Sequence, residues 1–318
     1  GISVNYNSNF LPGQIDVAVI EADEFDRSFH RLAPDMAVIT AVDTDHLDIY
    51  GTKEKIDEAF VEFTNRISED GFLTIKTSQT INEQLPVLDK AFYALNDTTA
   101  DVYCTKYWVV ENGYLFNVNY YGKELKGFRL NIGGYHNIEN AIAAITVAKE
   151  LKITDEHIKA ALASFKGIKR RFEKVLQNER FTFIDDYAHH PTEITSVLNA
   201  IKSGFKGKKI VTVFQPHRYS RVASLKKEFA NAFKDSDLVV LCPIYAASEK
   251  PLKNINHYEL AKLIKKNSKK DVICIENQFD LERFIKRHTY GNEVIVCMGA
   301  GSISSWIREI AINLKNEH

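Results

Sequence analysis

Along the chain, short apolar runs alternate with longer stretches in which apolar residues recur every three or four positions. Residues 15–20 and 36–42 form two such runs, and each ends in a polar cluster, Glu21-Ala22-Asp23-Glu24-Phe25-Asp26 and Asp43-Thr44-Asp45-His46-Leu47-Asp48. Runs of this length predict buried strands of one sheet whose carboxyl ends deliver acidic groups. The spacing of Ile56, Phe60, Phe63 and Ile67 predicts a helix, and a strand is expected at 71–76. From 101 to 132 aromatic and β-branched residues dominate, with turn signals at Glu111-Asn112-Gly113 and Tyr121-Gly122, which predicts an antiparallel meander. Two helices are expected at 136–151 and 154–165, the second opened by Thr154.

A short basic segment, 166–171, marks the expected boundary between domains spanning 1–168 and 169–318. Beyond it, strand-like runs at 181–184, 209–214, 238–242, 272–275 and 294–298 alternate with helical patterns at 191–203, 221–233, 257–265, 279–288 and 302–314. That alternation predicts a doubly wound α/β domain. Composition narrows the class. With 41 Lys and Arg against 42 Asp and Glu in 318 residues, the formal charge of −1 provides no basic field for nucleic acid or a membrane surface. No apolar run approaches the roughly 18 residues of a membrane span. The four cysteines are scattered without a C-x-x-C pair, so buried thiols are expected rather than disulfides or zinc ligands. A soluble, cytoplasmic globular protein is expected; its oligomeric state is not legible.

Candidate chemistry sits at the strand ends. Glu21 and His46 close successive predicted strands; together they can hold a hard cation such as Mg²⁺, or serve only as caps and solvated turns. Gly133-Gly134-Tyr135-His136-Asn137-Ile138-Glu139-Asn140 opens an Ala-rich helix. His136 and Asn140, four apart, share a face, and an Asn amide both donates and accepts, as an adenine edge requires. The same stretch also reads as a loop with an N-cap at Asn137. Arg170 and Arg171 at the junction can clamp phosphate or form a charged linker. The densest cluster runs from Asp185 and Asp186 through Tyr187, His189 and His190 to Pro191 at a helix start. Carboxylates there can take ribose hydroxyls, and a histidine at a helix N-terminus faces a cleft. Arg218 and Arg221, three apart in a first helical turn, can bind an anion or form a cationic turn. Close helix–strand packing explains Gly299-Ala300-Gly301.

The segments "EADEFDRSF", "DTDHLDIYG", "GGYHNIENAIAA", "KRRFE", "DDYAHHPTEI", "FQPHRYSR" and "CMGAGSIS" resemble, in order and over nearly the whole chain, those of the Mur ligases. These are ATP-dependent enzymes that add amino acids to the peptidoglycan precursor, and the likeness is to their alanine-adding branch. It implies a partial central ATPase domain with a mixed sheet over 1–168 and a Rossmann-like C-terminal domain over 169–318. It also implies a reaction: ATP phosphorylates the carboxylate of UDP-N-acetylmuramate, and the amine of L-alanine attacks the acyl phosphate to form an amide. By resemblance, Glu21 and His46 bind Mg²⁺, while His136 and Asn140 sit at the adenine. Arg170 or Arg171 contacts phosphate, and Asp186 takes the ribose hydroxyls. Tyr187, His190 and Arg221 face the muramoyl–alanine end, with Arg218 nearby and His189 in support.

Departures from the family pattern are informative. Phe25 stands where this branch usually has Ser, and Ala188 where Gly is common. Phe60 and Val61 occupy the region where other branches carry a carbamylated Lys, which favours the alanine-adding branch over them. The tripeptide-recycling muramate ligase lacks the "QPHRYSR" form and the "MGAG" ending. No G-x-x-x-x-G-K-[ST] loop occurs in the 318 residues, nor does the family's UDP-binding domain, so the expectation is a fragment inactive by itself. Two rival classes remain: a catalytically silent nucleotide- or precursor-binding module, and a nicotinamide-dependent dehydrogenase. The second is disfavoured because no strand opens into G-x-G-x-x-G.

Overall fold

The computed structural model describes residues 1–318 except 44–46, 87–88, 112 and 317–318. The chain divides into an N-terminal unit, 10–165, and a C-terminal unit made of 166–318 together with 1–9. The first nine residues thus join the later unit, although sequence position assigns them to the earlier one. The reason is backbone pairing: Val4 N donates to Gly167 O at 3.0 Å and Lys169 N to Ile2 O at 2.9 Å.

The N-terminal unit holds β1 (Met36–Ile39), α1 (Leu47–Tyr50), α2 (Lys53–Thr64), β2 (Phe72–Lys76), β3 (Asp89–Ala94), β4 (Val102–Val110), β5 (Gly113–Tyr120), β6 (Lys123–Leu130), α3 (Tyr135–Glu150) and α4 (Asp155–Ser164). Its six-stranded sheet runs β1-β2-β3-β4-β5-β6. β1 to β4 pair in parallel, and β4 to β6 form the expected antiparallel meander. The turn at Tyr121-Gly122 has positive φ at both residues, 48° and 83°, the twist a tight hairpin needs. Thr154 caps α4 by accepting from His157 N.

Two expectations fail here. Residues 15–20 form no strand: Val19 is 92 % exposed, and the backbone bond the run makes among the described residues is local, Val17 N to Ile15 O. An apolar run becomes a strand only when another backbone completes its ladder, and among the described residues none does so. Conversely, β3 has no signal in the apolar pattern, because Asp89-Lys90-Ala91 is a poor strand sequence. It forms because β2 and β4 pair with it and Tyr93 is fully buried.

The C-terminal unit contains β7 (Glu173–Gln177), β8 (Thr182–Asp186), α5 (Pro191–Gly204), β9 (Lys209–Phe214), α6 (Tyr219–Ser224), α7 (Lys226–Asn231), β10 (Leu238–Leu241), α8 (His257–Ser268), β11 (Asp271–Cys274), α9 (Gln278–His288), β12 (Glu293–Met298) and α10 (Ile303–Asn316). The strand order is β11-β10-β9-β12-β8-β7, parallel except for the edge strand β7. β7 is an addition to the expected strands, and the helix expected over 221–233 is broken at Leu225 into α6 and α7. Successive side chains of a strand face opposite ways, and here both faces are covered. Ile184, Phe214 and Met298 enter one core, while Phe183, Val213 and Cys297 enter the other. Three cysteines are buried and Cys274 is half-buried, all as free thiols. β12 returns between β8 and β9, so the loops after these three strands gather at one topological switch point, where ligands of such sheets bind.

Candidate functional site

At that switch point the chain places its richest polar constellation. Asp185 and Asp186 end β8 on opposite faces and therefore do different work. Asp186 is 5 % exposed; its Oδ2 accepts from Phe172 N at 2.7 Å and its Oδ1 from Ala188 N at 2.8 Å. It braces the loop on each side of the strand end. Burial pushes its pKa up to about 6, against the pull of the two backbone donors. A carboxyl whose folded pKa lies above its unfolded value contributes most below the unfolded pKa, and that contribution is lost as pH rises through the folded one. Between about pH 4 and 6, wild-type stability should therefore fall relative to Asp186→Asn, by up to about 1.4 kcal/mol per pH unit. Urea titrations of both proteins at half-unit intervals measure this, and parallel pH profiles would contradict it.

Asp185 is fully buried against α10, accepting from Ser304 Oγ at 2.5 Å and Arg308 Nη2 at 3.0 Å. Burial raises its pKa, despite the Ser304 bond and the Arg308 charge. Arg308 also donates to Glu173 Oε2 at 2.6 Å, and Glu173 Oε2 accepts from Arg170 N at 2.8 Å. Burial works to raise Glu173, but these two donors outweigh it and hold it below the usual carboxylate range. Arg170 in turn donates from Nη2 to Gly299 O at 2.7 Å and lies over the Tyr187 ring, 4.6 Å from its centroid. Its Nε is buried with no partner among the described residues. Arg170 and Phe172 both have positive φ, 61° and 51°, so this network holds a backbone conformation that its residues resist. Arg171 is more exposed and lies 3.7 Å from Glu193.

α5 begins where the sequence places it, with Pro191 at the first turn. Glu193 Oε2 accepts from His189 N at 2.9 Å and His190 N at 3.1 Å, closing the turn that presents both histidines. His189 Nδ1 lies 3.0 Å from Tyr187 O, and a carbonyl only accepts, so Nδ1 carries the proton. His190 is 9 % exposed, and its Nε2 has no hydrogen-bond partner among the described residues. Ala188 is fully buried at negative φ, which explains why Ala serves where Gly is common.

In the loop after β9, His217 stacks on Tyr245 with ring centroids 5.6 Å apart and planes 9° off parallel, and its ring lies 5.8 Å from that of His189. Arg221 Nη1 lies 3.3 Å from His217 Nδ1. A guanidinium only donates, so this nitrogen is unprotonated. Burial, then the charges of His189, Arg221 and Arg218, hold His217 down at about 4. Arg218 caps α6 at φ 66° and donates its N–H to Tyr245 O at 2.9 Å. Gln215, whose Oε1 accepts from Ile303 N at 3.0 Å, joins the site with His217, Tyr245, Glu173 and Arg308 without having been expected there. His217 and Gln215 lie inside "FQPHRYSR", where position after a strand is the available signal. Glu173 and Arg308 have none, being 135 residues apart.

On the N-terminal unit, α3 begins at Tyr135 with Gly134, not Asn137, as its cap residue. Gly134 has φ +93°, and a Cβ there would lie 2.5 Å from His136 Cε1, so glycine lets the His136 ring fold back over the turn. Asn137 Nδ2 donates to Gly133 O at 2.6 Å, and Gly134 N to the Tyr114 hydroxyl at 3.1 Å. His136 and Asn140 are both exposed, one turn apart on the same helix. Glu21 lies exposed in a segment without regular structure, and His46 is outside the described residues. Among the described residues no three His, Cys, Asp or Glu side chains cluster as a metal site. No described helix is long and apolar enough to cross a membrane.

Residues 2–148 match the Mur ligase middle domain, and residues 170–301 match the Mur ligase, glutamate ligase domain. The chain belongs to the Mur ligase family, whose members are ATP-dependent amide-forming ligases. Relatives similar to it include the UDP-N-acetylmuramate–L-alanine ligases of Pelagibacter ubique, 38 % identical over 94 % of this chain and 66 % of that protein, and of Porphyromonas gingivalis W83, 40 % identical over 95 % and 66 %. That of Christiangramia forsetii is 38 % identical over 100 % of this chain and 67 % of its own length. The chain thus spans about two thirds of these relatives. Its fold is like that of a Thermotoga maritima UDP-N-acetylmuramate–alanine ligase, with a TM-score of 0.75 at 24 % identity, covering 92 % of this chain and 62 % of that one. A Psychrobacter arcticus murein peptide ligase gives 0.61 at 20 %, with 91 % and 59 % covered.

Proposed function

We propose that the chain serves ATP-dependent ligation of L-alanine to the carboxylate of UDP-N-acetylmuramate through an acyl phosphate. The observation that carries this reading is the convergence of Tyr187, His189, His217 and Arg221 in the loops after β8 and β9, with the adjacent His190 buried and its Nε2 without a hydrogen-bond partner among the described residues. On the C-terminal unit, Arg221 and Arg218 supply positive charge to the carboxylate of alanine and to the developing oxyanion, with Tyr187 and His190 lining the same end. Arg221 donates to a neutral His217, which leaves its charge undiminished and its direction set. Arg170, through its unpartnered Nε, and Arg171 are assigned to phosphate, and Asp186 to ribose hydroxyls in addition to its bracing role. On the N-terminal unit, His136 and Asn140 are assigned to adenine. Glu21 and His46 are assigned to Mg²⁺, which when bound supplies neutralisation of phosphoryl charge.

Because no G-x-x-x-x-G-K-[ST] loop occurs in these 318 residues, the chain by itself is proposed to bind and not turn over. NMR titration with N-acetylmuramoyl-L-alanine is expected to move resonances of the 187–190 and 215–221 loops. Arg221→Ala should weaken that binding at least tenfold, in the range expected for loss of one charge-assisted contact. Equal binding by the variant, or tighter binding of an N-acetylmuramoyl-D-glutamate probe, would sink the assignment. ADP release by this chain with ATP, UDP-N-acetylmuramate and L-alanine present would overturn the silent-by-itself reading.

A further inference from the structure

The geometry points to Glu139 as a positioning residue that sets the His136–Asn140 face of α3 against the carboxyl edge of the first sheet. Its carboxylate spans two strand ends. Oε2 accepts from Lys76 Nζ at 2.8 Å, Lys76 being the last residue of β2. Oε1 accepts from Leu95 N at 3.3 Å, directly after β3. The ion pair is mostly covered, with side-chain exposures of 28 % for Lys76 and 17 % for Glu139. The end of β2 is also held by Asn82, whose Nδ2 donates to Thr77 O at 2.6 Å and to Lys76 O at 3.2 Å.

A helix packed on a sheet by aliphatic contacts alone is poorly fixed along its axis, because hydrophobic burial has no direction. α3 buries Ile138, Ile142 and Ile145 in this way. Its cap residue, Gly134, makes no side-chain cap bond; Gly134 N donates to the Tyr114 hydroxyl and Asn137 Nδ2 to Gly133 O. Glu139 adds directional bonds within the same turn. It lies three residues after His136 and one before Asn140, so a shift that frees it displaces both. Ligands of parallel sheets meet the strand carboxyl ends, and Glu139 ties the helix to two of them.

This inference rests on the proposal that His136 and Asn140 read adenine, and two measurements separate the two claims. Without ligand, Glu139→Ala and Lys76→Met should each shift the His136 ring and Asn140 side-chain amide resonances, and Glu139→Gln, which keeps an acceptor for Leu95, should shift them less. With ADP as probe, at a temperature where circular dichroism shows every variant folded, Glu139→Ala should bind about tenfold more weakly, the size of one lost hydrogen bond to the ligand. Glu139→Gln should recover part of the loss, which a general loss of stability would not produce. Unmoved resonances in both ligand-free variants, or unchanged ADP affinity in Glu139→Ala, would overturn the positioning role. Failure of the wild-type chain to bind ADP would overturn the adenine reading, leaving the ligand-free shifts to decide the position of the helix.

Discussion

Replacing Arg308 by Ala is expected to cost roughly 2–3 kcal/mol of unfolding free energy, less than a pair buried on both sides because the Arg308 side chain is 37 % exposed and water partly replaces it. The cost comes from what is left behind. Asp185 is fully buried, and among the described residues its Oδ1 already has no partner and its Oδ2 would retain Ser304 alone without Arg308. Glu173 would lose the same guanidinium while still holding Arg170 N. Because Asp185 is held above the usual carboxylate range by burial, the variant's deficit should shrink as pH falls and the carboxyl takes a proton. Arg308→Met with Asp185→Asn should recover part of the loss, since the buried charge is then gone. Urea unfolding at pH 7 and pH 4 reads all three effects. A deficit below about 1 kcal/mol, as exposed pairs give, would mean that water replaces the guanidinium freely.

Gly299→Ala should cost about 3 kcal/mol, from backbone strain and overpacking together. Gly299 lies at φ +148°, and a Cβ there would stand 2.6 Å from the backbone oxygen of Gln215, which cannot rotate away as a flexible side chain can. The loop would have to move, and it is coupled to the candidate site at both of its polar atoms. Gly299 O receives Arg170 Nη2 at 2.7 Å, and Gly299 N donates to Asp186 O at 3.3 Å. The variant should therefore lose affinity for N-acetylmuramoyl-L-alanine or for a phosphate-bearing ligand even where it remains folded. Thermal unfolding, followed by NMR titration with N-acetylmuramoyl-L-alanine, separates the two effects. A variant with wild-type stability would show that the Gln215 segment can give way.

The local chemistry of the site is legible in the order of residues alone. A strand that ends in two carboxylates, then paired histidines, then Pro191 and Glu193, describes a strand-to-helix turn whose parts lie next to one another in the chain. The same holds for Gly134 before α3 and for Arg218, the cap residue of α6, with Arg221 three positions further on. The division of labour between Asp185 and Asp186 is not legible there. It depends on which side of β8 each faces, and on α10 bringing Arg308 and Ser304 to one of them. His217 shows the same limit: its neutrality follows from burial and from Arg221, His189 and Arg218 meeting around it.

The apolar run at 15–20 marks the boundary between the two kinds of information. By itself, the sequence determined the alternation of apolar and polar positions, the capped helix starts, and the order of the motifs that identify the family. These are properties of neighbouring residues, set by side-chain size, φ preference and hydrogen-bonding groups. Only the tertiary structure decided that this run stays unpaired, that Asp89–Ala94 pairs on both sides, and that Glu173, Asp185 and Arg308 share charge across 135 residues. A ladder or a buried ion pair requires a second segment, and no single segment carries the identity or position of its partner.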